Sequence, residues 1–599
     1  MAPKTLMKNR DGNLECDLLV VGAGAGGLST AITAAKHGLN VVVVEKEAVF
    51  GGTAAFSGGV LWIPANPVSA RAGVKDDIDA ARTFLKFEAG AHFDAAQAEA
   101  FLREGPRMVE FFERETEVQF LPTLYPDYHP DSPGGVSVGR SILAAPYDIR
   151  GLGKDMGRLR PPLQTITFIG MMFNSSNADL KHFFRATKSL TSAIYVVKRL
   201  LAHIKELVLY RRGINVTSGN ALAARLAKSA LDLDIPIWTS TPAVELIQAD
   251  GAVHGAVVQK DGQKLRVLAR RGVVLAAGGF SHDLERLKKA YPHVARGGEH
   301  LSPVPAGNTG DGAALAESAG GTVPIRFQQP AAWMPVSRVP MGTKGDFGVF
   351  PHLLDRYKPG IIGVTRRGRR FTNESNSYHD VGAAMIAACQ SEQETAMWLV
   401  CDAATIGKYG LGYAKPAPMP LEGLVRNGYL SRGATLAELA KNAGIDAAGL
   451  EATVRDYNVF AKDGKDPAFG RGGNAFNRYL ADPDHKPNPA VAPIGQGPYY
   501  ALKLVMGDLG TFDGIRTNVE GQVLRADGGV VEGLFAVGND RASVMGGNYP
   551  GAGITLGPIM TFGYITGRFV AGVLQPALTF EVPAVVGIPL GVQEAQHVR

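Results

Sequence analysis

The chain has 599 residues, 45% of them hydrophobic and 20% charged, with a formal net charge of +6 and a pI near 9.0. This composition excludes a disordered polypeptide and a small disulfide-stapled domain, and the positive excess is spread too thinly to indicate nucleic acid as a partner. Cys16, Cys389 and Cys401, an odd set without metal-ligand spacing, read as buried thiols; with no apolar leader and no run of about 18 apolar residues, a cytoplasmic protein without a metal centre is expected.

Residues 18–21, LLVV, read as a buried strand, followed at once by Gly22, Gly24 and Gly27 in G-x-G-x-x-G spacing and by an alanine-rich helical segment. Gly22 permits the turn, Gly24 lets a pyrophosphate approach the backbone, and Gly27 lets the helix close on the strand, so that free N–H groups at the helix start face the anion. A second strand over residues 41–44 ends at Glu45, 18 residues past Gly27. A carboxylate there accepts hydrogen bonds from a ribose and disfavours a 2′-phosphate, and the whole unit indicates a dinucleotide site. The small-residue run 51–59, with Gly52, Thr53, Ser57, Gly58 and Gly59, suits a ligand extending beyond the pyrophosphate, which an NAD dehydrogenase does not require.

Helices follow from about residue 76 and over 94–114. Residues 120–150 are rich in Pro, Gly, Tyr and Asp and read as a loop on which substrate contacts collect, with Tyr125, Tyr128, His129 and Arg140 as candidates. Over 186–210, Leu190, Ile194, Val197, Leu201, Ile204 and Val208 advance by three and four residues, giving an amphipathic helix flanked by lysines and arginines. Such a helix lies on an anionic membrane or covers a core, and the core role is expected here. A helix over 219–228 and a strand over 235–239 read as a further βαβ unit. Residues 244–258 and 264–268 read as an antiparallel meander opened by Val244.

The strand 273–280, VVLAAGGF, with Gly278, returns to the main sheet. GNTGDG at 307–312 opens a helix at Ala313, with Asp311 placed to cap it. Residues 321–493 mix strands, helices and prolines as an inserted domain, and the chain returns through 499–506 and the strand GLFAVGN, which ends at Gly538 and Asn539. From Pro576 onward the sequence is apolar and aperiodic.

The glycine motif, the 51–59 run, VVLAAGGF and GLFAVGN together resemble the FAD-binding domain of the fumarate reductase and 3-ketosteroid dehydrogenase flavoproteins. The fold this implies is α/β: a Rossmann-like FAD-binding domain over 1–320 and 494–599, carrying a helical insertion at 159–225, with an inserted α+β substrate-capping domain over 321–493. Where dicarboxylate-handling members have a histidine- and arginine-bearing run, this chain has SVMGGNYPGAGITLG at 543–557, and its Y-P-G-x-G is similar to that of the 3-ketosteroid Δ1-dehydrogenases. RFTNES at 370–375 followed by Tyr378, and YPDYHPDSPGG at 125–135, are similar to two further segments of that family; the insertion at 159–225 is longer than the family pattern.

The resemblance implies noncovalent FAD, contacted by Gly22, Gly24, Gly27, Glu45, Gly52, Thr53, Ser57, Gly58, Gly59, Val244, Gly278, Asp311, Gly538, Asn539, Thr555 and Leu556. It also implies dehydrogenation of a 3-ketosteroid at C1–C2, with an electron acceptor that the sequence does not identify. In this scheme Tyr378 takes the C2 proton, Tyr128 hydrogen-bonds Tyr378 and relays the proton, and the Tyr549 hydroxyl and Gly553 N–H hold the ketone oxygen. Tyr125 and His129 remain alternatives to Tyr128. The alternative activities are Δ4 regiochemistry and a fumarate-reductase-like reaction on another unsaturated or ketonic substrate.

Overall fold

In the computed structural model, which describes residues 7–8, 12–168, 170–172, 182, 189–342, 345–392 and 394–573, the run 18–21 is the inner end of the strand Leu14–Val21. That strand pairs in parallel with Val41–Val44 on one side and Gln263–Leu275 on the other. Ile237–Trp238 extends the sheet beyond Val41–Val44, and Val530–Ala536 pairs in parallel with Gln263–Leu275. All four valines of Val41–Val44 are buried, as an unbroken apolar run requires when both faces of a parallel sheet are covered. The expected α/β architecture is present.

The meander is Ala243–Ala249, Ala252–Lys260 and the first half of Gln263–Leu275. The sequence suggests two strands over 264–275, but the chain makes one. A register shift between Ala269 and Gly272 carries it from antiparallel pairing into the parallel sheet.

Helices Ala25–Lys36 and Leu556–Val570 lie side by side. A Cβ on Gly26 would fall 3.4 Å from Ile559, one on Gly563 2.2 Å from Ser29 Oγ, and one on Gly567 2.7 Å from Thr33. These contacts ascend together in number, so the helices run parallel and open at the same end of the sheet. Their backbones approach this closely because the facing positions are glycine.

The second sheet is antiparallel, in the order Phe347–Pro351, Ala331–Pro340, Tyr499–Thr511, Ala396–Asp402, Ile362–Val364, with Ser431–Gly433 also paired to Tyr499–Thr511. Tyr499–Thr511, which the sequence places at the start of the return segment, is thus an inner strand of this sheet. The chain regains the first sheet only at Gln522–Leu524 and Val530–Ala536. Helix Tyr378–Ala388 packs on Ala331–Pro340 through Gly382, where a Cβ would sit 2.7 Å from Trp333.

Three expectations are corrected. The 120–150 stretch is not wholly a loop, because Ser141–Ala144 pairs with Phe120–Pro122 on one side and with Val60–Trp62 on the other. Asp311 does not cap its helix: Gly310 is the cap, and Asp311, in the first turn, pairs with Lys46 at 2.6 Å. The third concerns the amphipathic helix, Leu190–Tyr210, which turns its apolar stripe outward. Leu201 is 62% exposed while Ser192, His203 and Glu206 are buried, because Glu206 accepts hydrogen bonds from Ile214 N (3.0 Å) and Asn215 Nδ2 (2.6 Å) on the inner side.

Cys16, Cys389 and Cys401 are buried free thiols, and burial pushes Cys16 up to about 12. Among the described residues no helix is long and apolar enough to cross a membrane, and no histidine, cysteine and carboxylate group is arranged to hold a metal. The aperiodic stretch from Pro576 lies outside the described residues.

Candidate active site

The cofactor residues expected from sequence gather at the carboxyl end of the first sheet. Gly22 has φ +114°, and a Cβ there would fall 2.1 Å from Ala276 O; one on Gly27 would fall 2.0 Å from Gly22 O. Gly24 caps Ala25–Lys36 with no side-chain cap, which leaves the first N–H groups of the helix facing the gap. Gly52 lies across that gap, where its Cβ would come 3.2 Å from Gly24 Cα, and Gly26 meets Gly538 in the same way at 3.1 Å. Glu45 ends its strand with Oε2 accepting from Ala23 N and Oε1 from Glu47 N, both at 2.9 Å, so the carboxylate is fixed beside the turn.

Thr53 Oγ1 accepts from Asn308 Nδ2 (3.0 Å), which also donates to Gly278 O (3.1 Å). Ser57 Oγ donates to Ala54 O (2.8 Å) and accepts from Gly59 N (3.1 Å), shaping the turn at Gly58. The Asn539 side chain lies against Gly510, and Thr555 precedes Leu556–Val570, a second helix start without a side-chain cap. Val244 stands apart from this cradle, 42% exposed at a bulge in an edge strand.

The sequence reading did not single out Asn308, Gly26 or Asp540. Asp540 accepts from Gly279 N (2.9 Å) and from Ala277 N, joining the AAGG and AVGN turns, and burial pushes it up to about 6. Its place directly after Gly538 and Asn539 was the available signal. A backbone-lined gap between two uncapped parallel helix starts, with a fixed carboxylate at one end, fits a dinucleotide's pyrophosphate and ribose.

Three tyrosines from distant segments converge at the junction of the two sheets. Tyr378 is the first residue of Tyr378–Ala388, capped by Ser377. Tyr549 lies in the loop before Leu556–Val570, and Tyr128 is brought to it because Asp127 bridges to Gly551 and Tyr128 N donates to Pro550 O at 2.8 Å. Ring centroids are 5.0 Å apart for Tyr378 and Tyr549, 5.7 Å for Tyr128 and Tyr549, and 5.8 Å for Tyr128 and Tyr378. Tyr128 OH donates a long, 3.5 Å hydrogen bond to Tyr378 OH. Gly553, with φ +95°, is pressed against the Val60–Trp62 strand, where a Cβ would meet Val60 O at 2.5 Å.

Burial raises the phenols of all three above their ordinary 10, most strongly for Tyr128 and Tyr378, so at neutral pH they stand protonated. Tyr125 packs on Tyr479, with centroids 4.7 Å apart.

His129 is held between two carboxylates. It is a clamp: Nδ1 meets Glu88 at 2.8 Å and Nε2 meets Asp380 at 2.9 Å. Burial opposes its charge, but the hydrogen bonds to Asp380 and Glu88 prevail and raise it from 6.5 to about 10. Glu88 also accepts from Asn548 Nδ2 (2.6 Å), whose Oδ1 accepts from Tyr549 N (2.9 Å). The clamp therefore ties together the segments that carry Tyr128, Tyr378 and Tyr549.

Arg140 serves the scaffold. It is 1% exposed and pairs with Asp76 and Asp127, while Trp62 Nε1 donates to Asp127 at 2.8 Å. Within RFTNES, Arg370 grips Glu374 and Asp466, Glu374 accepts from Gly363 N, and Asn373 donates to Asn477, so the run holds Tyr378 in place from below.

Residues 17–556 match the family described as "FAD binding domain". The chain is 44% identical over 569 residues to the 4-oxocyclohex-2-ene-1-carboxylate 5-dehydrogenase of Sinomonas cyclohexanicum, covering 95% of each chain. It is 36% identical to the 3-oxosteroid 1-dehydrogenase of Mycobacterium tuberculosis, covering 93% of this chain and 98% of that one. Among solved structures, the 3-ketosteroid Δ1-dehydrogenase of Sterolibacterium denitrificans in complex with 1,4-androstadiene-3,17-dione is similar with a TM-score of 0.84 and 36% identity, over 93% of this chain and 99% of the other.

Proposed function

The chain belongs to the FAD binding domain family and is an FAD-dependent oxidoreductase, and from that premise we propose that it removes two hydrogens from adjacent carbons beside a ring ketone, with C1 and C2 of a 3-ketosteroid as the reacting pair. The observation that carries the reading is the convergence of Tyr128, Tyr378 and Tyr549, with no lysine or arginine among the ring contacts of the three in the described residues. An aromatic wall of this kind suits a neutral ring; a carboxylate brought against it would lose its hydration without gaining a cation.

Gly22, Gly24, Gly26, Gly52 and Gly538, with Glu45, are the residues that would hold FAD, which when bound supplies the acceptor for the hydride. In its ionised fraction Tyr378 takes the proton from the carbon next to the carbonyl and becomes the phenol; Tyr128 stabilises the phenolate beforehand through its hydrogen bond, and afterwards accepts the proton from Tyr378 as it gives up its own. Tyr549 and the Gly553 N–H hold the ketone oxygen, on which negative charge grows as the C–H bond breaks. A donor aimed at such an oxygen contributes about 3–4 kcal/mol. Because Tyr378 is protonated at neutral pH, its ionised fraction grows about tenfold per pH unit, and kcat/KM should climb with pH through the range in which the protein stays folded.

A second reading, a 4-oxocyclohexenecarboxylate as substrate, is favoured by the 44% identity to the Sinomonas enzyme. The chemistry beside the ketone is the same. Anaerobic addition of 4-androstene-3,17-dione or of 4-oxocyclohex-2-ene-1-carboxylate to the yellow protein, followed by flavin bleaching and product mass, tests the two. Bleaching by the steroid with loss of two hydrogens supports the proposal, bleaching by the acid alone moves the function to the second reading, and bleaching by neither overturns ring-ketone dehydrogenation. Reoxidation of the reduced enzyme by an unsaturated acid instead would identify the fumarate-reductase-like alternative.

A further inference from the structure

The helix Leu190–Tyr210 is built inside out. Leu190, Ile194, Val197, Leu201, Ile204 and Val208 fall within an arc of about 80° on the helix wheel, and their exposures are 78%, 48%, 55%, 62%, 54% and 76%. Scattered exposed leucines are ordinary on a protein surface, but a continuous stripe about 27 Å long is not. Rotating the helix to bury the stripe would break the bonds from Glu206 to Ile214 N and Asn215 Nδ2 and expose a carboxylate and an imidazole in place of the leucines. The outward stripe is thus the orientation that the polar face enforces.

The charges on this helix select the occupant. Lys198 and Lys205 are exposed along one edge of the stripe, and Arg211 is exposed at the C-terminal end. The helix has a single acidic residue, Glu206, and it is buried, so the exposed surface of the helix carries cations and no carboxylate. A second copy docking through the same stripe would bring these lysines together without counter-charges. Lys198, Arg199, Lys205 and Glu206 lie within 9 residues and prevent the helix from spanning a bilayer, in keeping with the absence of a membrane-crossing helix among the described residues. An apolar stripe with a basic rim on a helix that cannot span is the pattern of a helix lying in the plane of an anionic bilayer, its leucines among the acyl chains and its lysines at the headgroups.

We propose that Leu190–Tyr210 is an in-plane anchor that seats this enzyme on an anionic lipid surface. The start of the insertion touches both sheets' surroundings. Phe50 bridges to Leu159 in the first domain, and Thr165 Oγ1 donates to Val349 O (2.6 Å) at the edge of the second sheet.

The test is sedimentation of the FAD-loaded, full-length protein with vesicles of phosphatidylglycerol and phosphatidylcholine, against phosphatidylcholine alone. Binding to the anionic vesicles is expected at low salt, falling by at least about tenfold in about 0.5 M NaCl or on the neutral vesicles. Leu201→Glu and Val197→Glu, made separately at exposed positions, should each abolish binding while FAD content and Tm stay as in the wild type. Lys198→Glu with Lys205→Glu should weaken it. Absence of wild-type binding to anionic vesicles at low salt overturns the proposal, as does binding that both glutamate variants retain. A doubled solution mass that Leu201→Glu halves, without vesicle binding, also overturns it and makes the stripe a contact between copies.

Discussion

Two neighbouring helices treat the same kind of pattern in opposite ways. Ser218–Asp232 buries Leu222 and Leu226 completely against the first sheet's helical layer, and its Gly219 allows contact with the turn Thr53–Phe56, where a Cβ would fall 1.9 Å from Ala54 O. Leu190–Tyr210, only a few residues earlier in the chain, turns comparable leucines to the outside and buries a glutamate and a histidine. Apolar periodicity thus determines that a helix forms and which residues share a face; what covers that face depends on which polar partners the rest of the fold offers. The same contrast separates the body of the protein, where the cofactor cradle and the tyrosines depend on burial, from the 159–225 insertion.

The largest effect expected from the body is chemical. Tyr378→Phe should lower kcat by about 10² to 10⁴, with FAD content and product-analogue affinity retained. A variant with near-wild-type turnover would make Tyr378 a packing residue and leave the body, like the insertion, without an assigned reaction. In stability the contrast should be sharpest at Leu226→Ala, which opens a cavity and should cost about 2–5 kcal/mol in denaturant titration.

At the cradle, Glu45→Ala should weaken FAD binding by about 1–3 kcal/mol through loss of a charged acceptor; unchanged affinity in an equilibrium flavin titration would remove Glu45 from the site. The clamp gives a pH-dependent effect. His129 is raised from 6.5 to about 10 in the folded protein, so its contribution to stability is fully present below pH 6.5 and is lost as pH rises through about 10. The gap in Tm between wild type and His129→Gln should accordingly be widest at acid pH and close toward pH 10, and a gap independent of pH would show that the ion pairs contribute nothing. Leu201→Ala should change solution stability by no more than about 0.5 kcal/mol, as at other exposed sites; a cost near that of Leu226→Ala would erase the contrast.

The first βαβ unit was legible almost residue by residue, because its constraints are local: a four-valine strand, glycines where a Cβ would strike the neighbouring backbone, and an acid at the strand end. The three candidate tyrosines were legible only through motif resemblance. Nothing in the spacing of Tyr128, Tyr378 and Tyr549 announces that they meet, since two different sheets and the Asp127–Gly551 bridge bring them together. The Glu88–His129–Asp380 clamp was not legible at all: its three members belong to unrelated segments, and each alone resembles a solvated charge.

By itself, then, the sequence determined the elements, the dinucleotide turn and the faces of the helices, all of which follow from period, sterics and short-range hydrogen bonding within one stretch of chain. The tertiary structure decided which strand joins which sheet, as with Tyr499–Thr511, and which side of Leu190–Tyr210 faces inward. It also decided that His129 is held between Glu88 and Asp380. The sheet assignment and the clamp depend on partners far away in the chain, the helix orientation on the polar groups of Ile214 and Asn215 just beyond its end, and the burial that raises the tyrosine phenols exists only once distant segments pack around them.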